Sequence, residues 1–339
     1  MTRGSGRIEV VEQLRGIAAL SVTWFHLTNQ YGDWVMSSGN YGWLGVEAFF
    51  VISGFVIPLS LAGDWSRFGA RAVPGFFLRR LIRIEPPYLL SVLLVVVLNL
   101  FAAQFSAFQG HNQSISVGQI LWHAAYLIPL TQYEWLQPVY WTLAYEFVFY
   151  ITVGLAIGIF VSNKKQLLII CYLILLGTIA FNFLSPLLGL FCMGLLVFRA
   201  RNGLERNGWT ALAIGLTGAA MILGGAMAQA VVGTCTAGII CVPSWSRGLP
   251  NLAGRILNML GKVSFSLYLL HVPIGGKIVN LGKRWLIAPD EHFVLSLAAL
   301  GASLVAAFIF WRLVELPCLK ATAAIRSKQR LAKPDSAAE

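Results

Sequence analysis

Charge is scarce in this sequence. Asp, Glu, Lys and Arg make up 12% of its 339 residues, against about 25% in an ordinary soluble domain. Acidic residues are scarcest, 14 against 25 basic. No polar stretch is long enough to form a second, soluble domain, and no segment repeats at a fixed period, which excludes solenoids and propellers. The five cysteines (Cys171, Cys192, Cys235, Cys241, Cys318) form no C-x-x-C pair, and all but Cys318 lie in apolar runs. They read as small buried hydrophobes, with neither a metal nor a disulfide expected.

What is present is apolar. Hydrophobic residues make up 57% of the chain and the mean hydropathy is +0.72. The runs Tyr88–Phe101, Val148–Val161, Leu167–Phe181, Thr210–Met227 and Phe293–Trp311 each approach the roughly 20 residues a helix needs to cross the hydrocarbon layer. The first apolar stretch, Gly16–Leu27, could pass for a signal peptide. Glu9, Glu12 and Arg15 in its opening turns, His26 near its end and the lack of a small-residue cleavage site make it a first span instead. The fold class is therefore all-α, a polytopic membrane protein.

A net charge of +11 would suggest nucleic acid in a soluble protein, but the basic residues are clustered. They fall in the N-terminal tail (Arg3, Arg7), the Asp64–Glu85 loop, Lys164–Lys165, Arg199–Arg206, Arg247–Lys262 and the C-terminal tail. With both termini cytoplasmic, only Lys277, Lys283 and Arg284 fall near the outer face, as the positive-inside rule expects. This predicts ten crossings, at about 9–30, 42–62, 86–104, 138–161, 166–183, 185–200, 209–229, 230–243, 263–282 and 293–315. Leu121–Tyr133 is too short to cross and reads as a re-entrant or interfacial helix beside the outer loop Ser106–Gln119. Residues 1–320 are expected to form one transmembrane domain, and 321–339 a disordered cytoplasmic tail.

An ionisable side chain at the centre of a span costs about 2.5–3.5 kcal/mol by insertion scales, so each one is a functional candidate. Arg15 and His26 are eleven residues apart. Eleven steps of about 100° put them on one helix face, about 16 Å apart along the axis, and Glu12 shares that face. Such a stripe points into the protein or a watered cavity. Alternatively, Arg15 anchors the helix at the interface and His26 bonds a neighbouring helix. Ser53 lacks the G-x-S-x-G elbow of a nucleophile, and Ser53-Gly54 reads better as a close-packing site.

Arg79, Arg80 and Arg83 are i+3 and i+4 neighbours. They suit either lipid headgroups or the phosphates of a cytoplasmic cofactor. Glu85-Pro86-Pro87 then starts a new helix. Trp141 and Glu146 open the fourth crossing, where the aromatics suit the interfacial belt and Glu146 needs a partner from another span. Ser264, Tyr268 and His271 share one face of a later span, with His271 more in keeping with a structural role.

Together these segments resemble the acyltransferase-3 family of membrane acyltransferases. The matching text is Glu12-Gln13-Leu14-Arg15-Gly16 with His26, Gly45-Val46 through Ser53-Gly54-Phe55, Arg79-Arg80-x-x-Arg83-Ile84 with Pro87-Tyr88, Trp141-Thr142-Leu143 with Glu146, and Ser264 through His271. The resemblance implies a ten-span fold in the inner membrane that moves acyl groups, often acetyl from acetyl-CoA, onto hydroxyls of polysaccharide, lipopolysaccharide or lipid-linked glycans. It implies that Arg15 and His26 form an essential pair and that Arg80 and Arg83, with Arg79, handle the acyl-CoA. Some relatives carry a further extracytoplasmic domain, for which these residues leave no room. His26 would be the general base, with Arg15 and Glu146 as further catalytic candidates. Trp141, Ser53, Tyr268 and His271 would bind substrate or hold structure. The lipid bilayer, a carbohydrate acceptor and acyl-CoA are the expected partners, with no metal and no nucleic acid. The rival class is a transporter or flippase with an intramembrane Arg/His/Glu pathway, though no duplicated halves are visible.

Overall fold

The computed structural model describes residues 8–102, 104, 115–162 and 164–331. Among these every regular element is helical, as a chain in lipid must be when it cannot close a barrel. In chain order they are α1 (Glu9–Thr28), α2 (Trp34–Gly39), α3 (Gly45–Phe68), α4 (Ala72–Ala102), α5 (Val117–Ala124), α6 (Trp141–Phe160), α7 (Lys165–Ala180) and α8 (Leu187–Arg201). There follow α9 (Asn207–Leu223), α10 (Met227–Cys241), α11 (Leu252–Leu270), α12 (Lys277–Gly282), α13 (Pro289–Phe310) and α14 (Leu316–Leu331). Wide π-type turns, His271–Gly276 and Trp311–Glu315, join α11 to α12 and α13 to α14. Three helical stretches are long and apolar enough to cross a membrane: Trp34–Phe101, Trp141–Phe160 and Pro289–Ser327. Shorter apolar helices lie at Gln166–Ala180, Asn207–Leu223 and Met227–Cys241.

The chain forms two compact units. The first is Met1–Ala72 with Tyr150–Ser264, the second Val73–Phe149 with Phe265–Glu339. In the first, α3 packs along α8 at a crossing built from glycine. A Cβ on Gly54 would strike the Phe191 carbonyl oxygen, and one on Gly194 would strike the Val51 carbonyl oxygen. Such small-residue contacts bring helix backbones together where lipid offers no hydrophobic drive. Half-buried Ser53 adjoins that crossing.

Two expectations need correcting. Pro86 and Pro87 do not begin a new helix. They sit inside α4, which runs unbroken from Ala72 to Ala102. Each proline removes one backbone donor, a loss that membrane helices absorb when their neighbours re-satisfy the freed groups. Nor is the C-terminal segment wholly unordered. Residues 321–331 continue α14, where Ala, Lys, Arg, Gln and Leu are all strong helix formers. Gln329 docks α14 on α4, receiving a hydrogen bond from Arg79 Nη1 and covering Gly75. Most of the expected outer loop, residues 106–114, lies outside the described residues.

Candidate functional site

In the first unit α1 is clasped on two sides. On one side its backbone meets the approach to α3, because Gly42 lies on Ser21 and Phe25 and Gly45 on Ala18 and Val22. On the other side Gly16 meets the Leu257 carbonyl oxygen, and Gly261 meets the Glu12 backbone. Buried Gln13 closes this second contact. Its Nε2 donates to the Leu249 carbonyl at 3.1 Å and its Oε1 accepts from Leu249 N at 2.8 Å. Taking Arg15 as zero on the helical wheel, the α3-facing residues lie about 20–120° to one side and Glu12 and Gly16 about 60–100° to the other. Arg15 lies in the wedge between these contacts with α3 and α11, and His26, about 20° from Arg15, continues the same face about three turns further along α1. Both side chains are half-buried, and the His26 ring stands edge-on to Phe25 at 5.0 Å.

Two buried polar groups of this unit escaped the sequence reading. Glu47 is 4% exposed, and its Oε2 has no hydrogen-bond partner. Thr23 Oγ1, one turn before His26, is in the same state. Glu47 lies two residues past Gly45, about 200° around α3, so it faces away from α1 and from the Arg15–His26 face. A carboxylate inside an apolar run was the signal that could have found it.

The second unit holds the arginine cluster. Arg80 is buried with its guanidinium 5.6 Å from the Phe76 ring centroid. Arg79 reaches Gln329. Arg83, half-buried and one turn beyond Arg79, makes no hydrogen bond or ion pair among the described residues. Past the prolines, α4 carries a polar and aromatic cluster that holds the segment Ser116–Tyr140. The His123 ring accepts at Nε2 from Leu136 N, 3.2 Å away. Its proton is therefore on Nδ1, which donates to Tyr88 Oη at 2.9 Å. Burial pushes the His123 imidazole down to about 4, in keeping with a neutral ring. Tyr140 Oη donates to Ser91 Oγ at 3.0 Å, because Ser91 spends its own proton on the Tyr88 carbonyl at 2.7 Å. Tyr126 stacks between Tyr88 and Phe147, each at 5.1 Å, and donates to Glu85 Oε2 at 2.8 Å. None of this was legible as function, since His123 lies in a segment read only as short and apolar.

Val139 lies near the end of the same segment, and there the second unit brings together several predicted residues. Tyr268 Oη and Thr142 Oγ1 are 2.9 Å apart and lie 3.1 and 3.0 Å from the Val139 carbonyl oxygen. Two hydroxyl protons serve these three contacts. The His271 ring is 5.9 Å from that of Tyr268, and its Nδ1 donates to the Leu267 carbonyl at 3.0 Å. That bond fixes the tautomer of a fully buried imidazole. Half-buried Trp141 sets its ring edge-on to Tyr145 at 5.6 Å, and Glu146 lies within electrostatic reach of Tyr268. Ser264 bonds back to the Gly261 carbonyl at 2.8 Å. Sequence reasoning also passed over Glu315, which is 1% exposed and accepts from Ser266 Oγ at 2.6 Å within the second π-type turn.

A family model described as an acyltransferase domain matches residues 8–312. Among curated proteins, the chain is 29% identical over 177 residues to O-acetyltransferase OatA of Staphylococcus aureus, covering 49% of this chain and 28% of that protein. It is 29% identical over 91 residues to peptidoglycan O-acetyltransferase OatA of Listeria monocytogenes, covering 27% and 14%. A further Staphylococcus aureus protein named for O-acetyltransferase activity is 38% identical over 87 residues, covering 26% and 13%. The chain thus spans less than a third of the length of each of these relatives. No solved structure matches it. With the family model running along nearly the whole described sequence, through Arg15 and His26 on their shared face and on past the arginine cluster to the last apolar helix, the chain belongs to the acyltransferase-3 family.

Proposed function

We propose that this chain is a membrane-bound O-acyltransferase that moves an acyl group, acetyl from acetyl-CoA, to a hydroxyl of a cell-surface or lipid-linked carbohydrate. The observation that carries this reading is the face of α1 shared by two half-buried ionisable groups, Arg15 and His26, and flanked at Arg15 by two helix contacts made of backbone and glycine. Charge held at such a depth has a cost that function offsets. The names of the relatives, one of them a peptidoglycan O-acetyltransferase, support a sugar hydroxyl as acceptor.

In this scheme the bundle crosses the inner membrane ten times with both ends inside. Residues 1–320 form the acyltransferase domain. The phosphates of the donor rest on Arg83, Arg80 and Arg79, whose planar forks suit them. His26 takes the proton of the acceptor hydroxyl as its oxygen attacks the thioester carbonyl. The C–S bond then breaks, and the departing CoA thiolate recovers a proton from the imidazolium. Arg15 stabilises negative charge along the same face, and Glu146 orients the acceptor.

The test is label transfer from acetyl-CoA in proteoliposomes holding the purified full chain, with surface glycan fragments as acceptors. Arg83→Ala is expected to raise the donor KM about tenfold or more while protein level and insertion stay unchanged. Absence of both transfer and CoA hydrolysis by the wild type would refute the reading.

A further inference from the structure

Just past His26 the chain leaves α1 and folds a small cap over its end. Asp33 starts α2 by accepting from Val35 N at 2.9 Å, and Val35 is fully buried. Trp24 Nε1 donates to Ser38 Oγ at 3.0 Å, and Ser38 donates on to the Val35 carbonyl at 2.6 Å. A Cβ on Gly39 would strike Thr28 Oγ1, so α2 lies directly on the last turn of α1. The cap is therefore a fixed surface. It exposes Gln30, Trp34, Ser37, Ser38, Asn40 and Tyr41. Tyr41 is 73% exposed, and its hydroxyl and ring make no hydrogen bond or ring contact among the described residues.

Exposed aromatics at the end of a span can meet either the bilayer interface or a ligand. Membrane anchors combine Trp and Tyr with Lys and Arg, as where Trp285 follows Lys283 and Arg284. From Asn29 to Leu44 there is no basic residue and a single acid, Asp33. Amides, hydroxyls and a carboxylate set among flat aromatic rings suit a sugar instead. Its C–H faces stack on the rings while its hydroxyls bond to the polar side chains. The cap also adjoins the residue that would act on such a sugar. A Cβ on Gly42 would lie 2.9 Å from Phe25 Cβ. With about 3.8 Å between consecutive Cα atoms, the Tyr41 Cα is then at most about 8 Å from that atom. Phe25 in turn meets the edge of the His26 ring. We propose that the α2 cap, with the Tyr41 ring as its stacking platform, is a subsite for neutral sugar units of the acceptor beyond the one that is acylated. This deepens, and rests on, the carbohydrate reading given under Proposed function. Remote units held on a fixed surface keep the reacting hydroxyl near His26 and make a longer glycan the better substrate.

The experiment separates a sugar from the lipid interface. Full-length protein in nanodiscs is titrated with N-acetylglucosamine oligomers of one and four rings, read by saturation-transfer NMR, for wild type, Tyr41→Ala, Tyr41→Trp and Trp285→Ala. Wild type should bind the tetramer more tightly than the monomer. Tyr41→Ala should lose about three- to tenfold in tetramer affinity, as for removal of one aromatic stacking contact, with monomer affinity unchanged. Tyr41→Trp, which keeps a ring, should lose little, and Trp285→Ala, at an exposed position, nothing. Melting temperature checks that each variant is folded. Tetramer affinity unchanged in Tyr41→Ala overturns the inference, as does a wild type that binds the tetramer no better than the monomer. Lower bilayer stability of Tyr41→Ala with sugar binding intact overturns it in favour of an interfacial anchor. Label transfer from acetyl-CoA is measured beside these titrations. A wild type that binds the tetramer through Tyr41 but transfers no acetyl group refutes the enzyme reading and leaves a sugar-binding cap.

Discussion

His123 offers the most direct test of how the second unit is held together. Replacing it with alanine leaves two groups without partners: the Tyr88 hydroxyl, fully buried, and the Leu136 N–H, which now reach the ring at 2.9 and 3.2 Å. Each orphaned group costs about 1–3 kcal/mol. The lost edge contact with Trp135 at 5.3 Å adds about 0.5–1.5 kcal/mol. A total of about 2.5–7.5 kcal/mol corresponds to a fall in melting temperature of the order of 10 °C, read by tryptophan fluorescence in detergent. His123→Gln can both accept from Leu136 and donate to Tyr88, so it should lose less than half as much. The ring also titrates. Its folded value, near 4, lies below the ordinary value of about 6.5, so the unfolded chain takes up the proton first. The stability from the neutral ring is complete above about pH 6.5 and is lost as pH falls through 4. His123→Gln should flatten that part of the profile. A melting temperature for His123→Ala within about 2 °C of wild type, with the acid slope unchanged, would show that the segment Ser116–Tyr140 is held by something else.

Three further outcomes are expected. His26→Ala should lower acyl transfer by about 10² to 10⁴, and His26→Gln nearly as much, because an amide keeps the polarity but takes no proton; near-normal transfer by the glutamine variant would make His26 a packing residue. Gly54→Val should drive its side chain into the Phe191 carbonyl and cost about 1–3 kcal/mol or more, seen as lost monodisperse protein, whereas Ser53→Ala should fold and transfer normally. With the native cysteines replaced by serine, a cysteine at exposed Val117 should react with a membrane-impermeant thiol reagent in intact cells and one at Ser66 should not; the reverse pattern would invert the orientation.

Much of the site was legible because lipid makes polarity conspicuous. Arg15, His26 and the arginine cluster stand out against apolar runs, and the eleven-residue spacing already fixes the shared face of α1. The same rule points to Glu47 and Glu315, which were passed over because no motif drew the eye to them. His123 was hidden for a different reason: its partners, Tyr88 and Leu136, are set by tertiary packing and leave no local pattern. The break expected at Pro86 came from a rule about backbone donors that holds for isolated helices, and the tail was misjudged by weighing its low hydrophobicity above its helix propensity. The wedge itself was not legible, since only the packed chain shows which flanks of α1 are closed by Gly42, Gly45 and Gly261.

The unbroken course of α4 has a mechanical consequence. Pro86 and Pro87 cannot donate to the carbonyls of Ile82 and Arg83, so the ladder lacks two successive rungs where the arginine-bearing half of α4 gives way to the apolar half. A rod bends most cheaply where its bracing is missing. Arg83 stands at that joint, its own carbonyl among the two released. The arginine-bearing half of α4, carrying α14 through Gln329, can tilt as one lever about a fulcrum beside Arg83, while the Tyr88–Tyr126–Phe147 stack grips the other arm.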